Sequence, residues 1–221
     1  MIKIENVTTY GWGESIRGMR NPMNSWDKSD TYKNYSVSYD EEGGETHTSY
    51  WRIGAGDLNL AEKLAKAGGS DAKFRRMIVV YMDITAPLYF WKEFDTYKVG
   101  TVRNSCSTMH KLHTRDLVTL EDFSCEHLYP DELSHLDETI KIINADRKLY
   151  LDNEKEYKRD WWQLIQLLPS CYNQRSTVML NYEVLAHMYK DRHNHKLDEW
   201  RDFCIAIKQL PYAKELIVCE G

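Results

Sequence analysis

A mixed α/β (α+β) fold is predicted by three features of this 221-residue chain. β-branched and apolar residues concentrate in two strand-like stretches, 1–10 (MIKIENVTTY) and 74–85 (FRRMIVVYMDIT). Amphipathic helical spacing marks residues 58–67 and 177–191. Glycine and proline punctuate the joins, with no internal repeat and no low-complexity linker, so residues 1–221 read as a single domain.

The elements follow in order. A short strand opens the chain, and residues 11–26 (GWGESIRGMRNPMNSW) read as a helix broken at Pro22, whose ring removes a backbone donor. The polar, aromatic-dotted stretch that runs on through Asp40 to Gly44 reads as a loop or hairpin, with Glu41 and Glu42 on its solvated face. Residues 58–67 form a short helix closed by Gly68 and Gly69, because glycine readily takes the left-handed conformation that ends helices. A buried strand over 74–85 leads to Pro87, which opens a helix over 88–97 and then a glycine-hinged polar loop over 100–108. Two acidic-apolar helical segments fill 117–157, and two last helices end at Pro211.

Composition excludes several classes. A formal net charge of -5 without runs of Lys or Arg argues against a nucleic-acid-coating surface, which needs a clustered basic footprint. The longest apolar run, around 77–84, is too short to span a bilayer, and the N-terminus lacks a signal-peptide core, so a cytoplasmic protein without a membrane partner is expected. Cys106, Cys125, Cys171, Cys204 and Cys219 show no Cys-x-x-Cys pairing and read as reduced thiols. His110 with His113 and His193 with His195 lack the accompanying ligands of a zinc motif, so no metal is predicted. Trp161, Trp162 and Trp200 lie in helical patterns and read as core or interface aromatics.

Chemistry concentrates in two segments. Read as a helix, residues 177–191 place Asn181, Leu185, Met188 and Arg192 on one stripe with a polar residue at each end. Asn181 and Arg192 are therefore candidates to face a ligand. Residues 97–107 (YKVGTVRNSCS) combine small hydroxyls with Lys98 and Arg103, donors and charges that suit a phosphate. The alternative for that segment is a solvated loop with a helix cap at Ser105 or Ser107.

Leu168-Pro169, Asn181, His187, Arg192 and Glu199-Trp200-Arg201 resemble in spacing the C-terminal half of the flavin-dependent thymidylate synthases. Residues 96–108 occupy the place of that family's Arg-His-Arg, Ser, Asn-Glu, Ser, Arg motif. Counted from Pro87, Thr96-Tyr97-Lys98 lies under Arg-His-Arg, Thr101 under the first Ser, Asn104 under the Glu and Cys106 under the second Ser. Counted from Asn104 as the family's Asn, Ser105 and Ser107 take the last two places. The resemblance implies an antiparallel or mixed sheet packed with long helices, with a helical insertion around 112–160. It further implies a homotetramer that binds a pyrimidine nucleotide, with FAD as cofactor and a folate as one-carbon donor. Substrate contacts then fall to Arg192, Arg175, Arg103, Asn104, Ser105, Cys106 and Ser107, with Arg192 also the catalytic candidate. Flavin contacts fall to Tyr97, Lys98, Thr101, Asn181 and His187.

The chain also departs from that pattern. Both arginines of Arg-His-Arg are absent, Trp162 and Ile165 stand where the family has Glu-x-x-Arg, and Glu183 stands where a cation is common. Lys98 is a point charge that cannot reproduce arginine's planar fork. Weakened FAD affinity follows. Three readings compete: a C5 one-carbon transferase acting on a pyrimidine deoxynucleotide, a non-catalytic nucleotide binder on the same scaffold, and a hydroxymethylating relative with Cys106 as nucleophile.

Overall fold

Alternating burial organises the centre of the molecule. The computed structural model describes residues 2–114, 117–153 and 158–219. The chain runs β1 (Lys3–Tyr10), α1 (Trp12–Arg20), β2 (Tyr32–Tyr39), β3 (Glu45–Arg52), α2 (Ala55–Ala67), β4 (Val79–Pro87), α3 (Leu88–Phe94) and β5 (Val102–Ser105). It continues through α4 (Thr108–Lys111), α5 (Pro130–Asp152), α6 (Lys158–Gln166), β6 (Asn173–Asn181), α7 (Tyr182–Arg192) and α8 (Asp198–Ile207).

Four strands form an antiparallel sheet in the order β1-β4-β6-β5. In β4, Val80, Met82, Ile84 and Ala86 are buried while Tyr81, Asp83 and Thr85 turn to the other face. β6 lies alongside from Val79↔Asn181 to Pro87↔Asn173, burying Gln174, Ser176, Val178 and Leu180. The inner face meets an aromatic cluster in which Phe90, Trp91, Phe94, Trp200 and Phe203 pack ring against ring. Each such side chain contributes about 1.5–3 kcal/mol through lost water contact. A second apolar cluster joins Ile140 and Ile143 of α5 and Leu164 of α6 to Leu112, Phe123 and Tyr172.

The mixed helix and antiparallel-sheet class is the one read from the sequence, but several boundaries move. Residues 177–181 belong to β6, not to a helix; the helix begins at Tyr182, where the Asn181 side chain caps it by accepting the Val184 amide hydrogen at 3.0 Å. Polar Gln174 and Ser176 on the buried face disguise the period-two pattern there. Residues 71–77 form a 3-10 turn ahead of the strand, because Phe74 and Arg75 are drawn inward. The helix after Pro87 stops at Phe94, and the polar loop over 100–108 contains strand β5 and the short α4. Residues 117–129 are largely irregular, and the one long helix of that region is α5; residues 154–157 of the expected second segment lie outside the described residues. A π-turn, Lys214–Val218, follows the last expected helix, with Leu216 and Ile217 buried.

Strands β2 and β3 form the hairpin that glycine and polar residues suggested. Its base is tied to the body by the buried Asp57 carboxylate, which receives hydrogen bonds from Arg20 at 2.5 Å, Ser29 at 2.7 Å and the Thr31 amide at 3.0 Å. Burial raises the Asp57 pKa, but the bonds from Thr31, Ser29 and Arg20 outweigh it and hold the carboxyl below its usual range.

Candidate functional site

The residues singled out by sequence separate into two places along β6. The first surrounds α7. Arg192, near the end of that helix, donates from Nε to the Tyr97 hydroxyl at 2.9 Å and from a terminal nitrogen to Glu93 Oε2 at 2.7 Å. Its guanidinium lies over the Trp200 ring at 4.9 Å, and Trp200 also donates to Glu93 at 3.0 Å. His195 stands 3.0 Å from the same arginine. Burial raises the Tyr97 pKa, against the lowering bond from Arg192. Arg192 is thus paired inside the protein, with its side chain only 19% exposed.

Asn181, Gly100 and Thr101 adjoin this cluster. Gly100 holds a positive φ of 78°, and a Cβ there would meet the Asn181 amide nitrogen at 2.6 Å, so glycine lets the loop close against β6. Thr101 Oγ1 is buried with no hydrogen-bond partner among the described residues. Lys98 is exposed. His187 lies on the outer face of α7, 3.5 Å from Glu183. Glu183 itself is buried, and Arg75 neutralises it at 2.7 Å while donating to the Leu216 carbonyl.

The second place is a cleft of about 370 Å³ where α4 and the end of β5 meet the start of β6. Cys106, Ser107, Thr108, Lys111, Asn173 and Arg175 line it, together with the Asp122 carboxylate. The Cys106 amide donates to the Arg175 carbonyl at 2.8 Å, which extends the β5–β6 pairing and sets the exposed thiol at the cleft. Gln174 donates to the Cys106 carbonyl at 2.8 Å and accepts from Arg103 at 2.9 Å. Arg103 is itself bound by Asp95 at 2.9 Å and lies 4.2 Å over the Trp91 ring, so it braces the cleft from inside the sheet. Ser107 caps α4 by accepting the His110 amide hydrogen, as the alternative reading of that segment expected.

Charge is accessible here. Arg175 leaves its side chain 56% exposed while donating to Asp83 at 2.8 Å, and Lys111 makes no ion pair with any described residue. Bonds from Thr177, Asn6 and Arg175 pull the Asp83 carboxyl down to about 2. Asn104 and Ser105 are both exposed on β5, but Ser105 pairs opposite Ser176, whose buried hydroxyl has no described partner, while Asn104 pairs opposite exposed Thr177. Of the sequence candidates, Cys106, Ser107 and Arg175 come together; Arg103 lies beneath them, and Arg192 with Tyr97 sits elsewhere. Lys111 and Asn173 escaped sequence reasoning. The available signal for Lys111 was its position four residues after a helix-capping serine. Among the described residues, no group of three or more His, Cys, Asp or Glu side chains is placed to hold a metal.

No protein-family model and no curated protein matches the chain. Solved structures do. The fold is similar to that of thymidylate synthase X from Helicobacter pylori with FAD and dUMP, at a TM-score of 0.64 and 14% identity over 99% of this chain and 97% of that one. A second structure, described as the flavin-dependent thymidylate synthase ThyX from Helicobacter pylori complexed with FAD and dUMP, agrees at 0.64 and 14%, over 100% and 99% of the two chains. The architecture is therefore of the flavin-dependent thymidylate synthase type.

A flavin dinucleotide requires donors matched to its pyrophosphate. Tyr97 is engaged by Arg192, His187 by Glu183, and the Asn181 carbonyl oxygen by the α7 cap. The Asn181 amide NH2, Lys98 and the orphan Thr101 hydroxyl are the donors left in that set, with His187 also exposed, and Lys98 is the one permanent charge among these residues. With one point charge and no guanidinium fork, the set is a poor match to a tightly held pyrophosphate.

Proposed function

We propose that the chain binds a pyrimidine deoxynucleotide in the cleft between α4 and β6. The observation that carries this reading is the pairing of an unneutralised cation, Lys111, with the exposed Arg175 guanidinium beside the Ser107 and Thr108 hydroxyls. Lys111, the solvent-facing part of the Arg175 guanidinium left over by Asp83, and the hydroxyl donors suit a phosphate monoester, with Asp122 as the one lining carboxylate to oppose it. The FAD- and dUMP-bound structures of similar fold support a nucleotide of that class. We read the protein as a homotetramer on this scaffold, with the helices around 112–160 as an insertion that packs on its own apolar cluster.

A second reading is favoured by one further observation, the exposed Cys106 thiol in the same cleft. It makes the chain a C5 one-carbon transferase in which Cys106 would be the nucleophile and a folate would donate the carbon; a thymidylate synthase-like product would need a hydride as well, the chemistry a bound flavin supplies, whereas a hydroxymethylated product would take up water and need none. Calorimetric titration with dUMP and dCMP tests the first reading: saturable binding to the parent supports it, and absence of binding to either nucleotide ends it. Titration with FAD followed by flavin fluorescence tests the second. The residues around α7 lead us to expect a dissociation constant in the micromolar range or poorer, about -8 kcal/mol or less favourable. Stoichiometric nanomolar binding would restore the flavin mechanism as the leading reading.

A further inference from the structure

The β2–β3 hairpin is built as though it had something to lie against. Eight residue pairs, from Tyr32↔Arg52 to Tyr39↔Glu45, give it a length of about 27 Å. Apart from Asn34 and Trp51, every residue of both strands is exposed. A two-stranded hairpin alone in water is marginally stable and normally needs a third layer. One face carries Tyr35, Val37 and Tyr39, which are 71%, 46% and 68% exposed. Alternation puts these three on the same side of the ribbon. The tip carries Asp40, Glu41, Glu42 and Glu45, and the contact of His47 with Glu45 at 3.3 Å is the one ion pair among them in the described residues.

A matching surface lies on the same chain but away from its own hairpin. Between α1, α2 and the 3-10 turn Asp71–Met77 there is a groove of about 930 Å³ with Leu64, Met23 and Met77 among its apolar lining. Met23 is 83% exposed and Met77 45%, so the hairpin does not cover its own groove. Arg17, Lys73 and Arg76 stand at this groove and make no ion pair with any described residue; they outnumber its two carboxylates, Glu14 and Asp71. Unbranched methionine adapts to irregular apolar partners.

We propose that the hairpin is an assembly arm, whose Tyr35, Val37 and Tyr39 seat in the groove of a second copy of this chain while its acidic tip meets Arg17, Lys73 and Arg76. The arm supplies apolar area and negative charge, and the groove supplies the apolar floor and positive charge. Each surface satisfies what the other leaves exposed. The inference stands apart from the nucleotide cleft and does not depend on it.

Charge exchange on the full chain tests it, read by light scattering and sedimentation across a concentration series. All four positions to be changed are exposed, so folding is not at stake. Glu41→Lys with Glu42→Lys puts like charges together, as does Lys73→Glu with Arg76→Glu. Each pair alone should weaken association by about tenfold or more. The chain carrying all four changes should recover most of the lost association. A parent that stays monomeric at every soluble concentration overturns the proposal. So does an assembly that neither pair weakens, as holds if the open face of the main sheet joins the copies, or a fourfold variant that fails to recover.

Discussion

The two regions flanking β6 differ in how far their positive charge is enclosed. Around α7, the guanidinium of Arg192 is committed to Glu93 and Tyr97, and that of Arg75 to buried Glu183. At the other end of the strand, Arg175 is paired with Asp83 yet remains more than half exposed, and Lys111 has no described carboxylate partner. A cation enclosed with its carboxylate holds the fold together, whereas Lys111, and the exposed edge of Arg175, face a cleft where a ligand could reach them. The count of arginines in a motif does not distinguish the two cases.

The largest expected effect lies on the committed side. Arg75→Met leaves the Glu183 carboxylate buried without its partner, and loss of one member of a buried pair costs about 3–5 kcal/mol. Urea denaturation reads this directly; a loss below about 1 kcal/mol would mean that water reaches Glu183 and that the pair contributes little. Next comes the accessible side. Lys111→Ala should weaken dUMP or dCMP binding by about ten- to a hundredfold, with the denaturation midpoint unchanged. An unchanged nucleotide affinity would move the phosphate site away from this cleft.

Arg192→Ala sharpens the contrast between the regions. Its hydrogen bonds to Glu93 and Tyr97 are partly open to solvent, so about 1–2 kcal/mol of stability should be lost after allowing for screening. Nucleotide affinity should fall less than in Lys111→Ala. The reverse ranking in a side-by-side titration would return Arg192 to the binding site that sequence spacing suggested for it.

The smallest effect is a dependence on acid. Asp83 has its pKa lowered from 3.8 to about 2, first by the Thr177 bond and then by those from Asn6 and Arg175. A depressed carboxyl contributes stability that is fully present above its unfolded value and is lost as pH falls through the folded one. Stability should therefore decline between about pH 4 and pH 2, and Asp83→Asn should flatten that part of the profile. Denaturation midpoints collected at steps through this window make the comparison; identical slopes for parent and variant would remove Asp83 as the source.

Much of the fold was legible because it is written locally. Pro87 opens a helix through its fixed φ, Gly68 and Gly69 end another with positive φ angles, and Val80, Met82 and Ile84 alternate along a strand whose period needs no knowledge of the rest of the chain. Residues 177–181 were misread for an equally local reason. Inward-facing Gln174 and Ser176 are polar, and the tolerance of Gln174 depends on partners such as Arg103 and the Cys106 carbonyl, which are 71 and 68 positions away in the chain.

The sequence by itself determined the class of fold, the glycine stop at Gly68 and Gly69, the Ser107 cap as one of two alternatives, and the hydroxyl-rich segment beside Cys106. Only the tertiary structure decided which charges are available. Glu93 reaches Arg192 across 99 positions, Arg75 reaches Glu183 across 108, and Arg175 reaches Asp83 across 92. Electrostatic neutralisation acts over a few ångströms of space regardless of chain separation, so no reading of spacing along the chain reveals it.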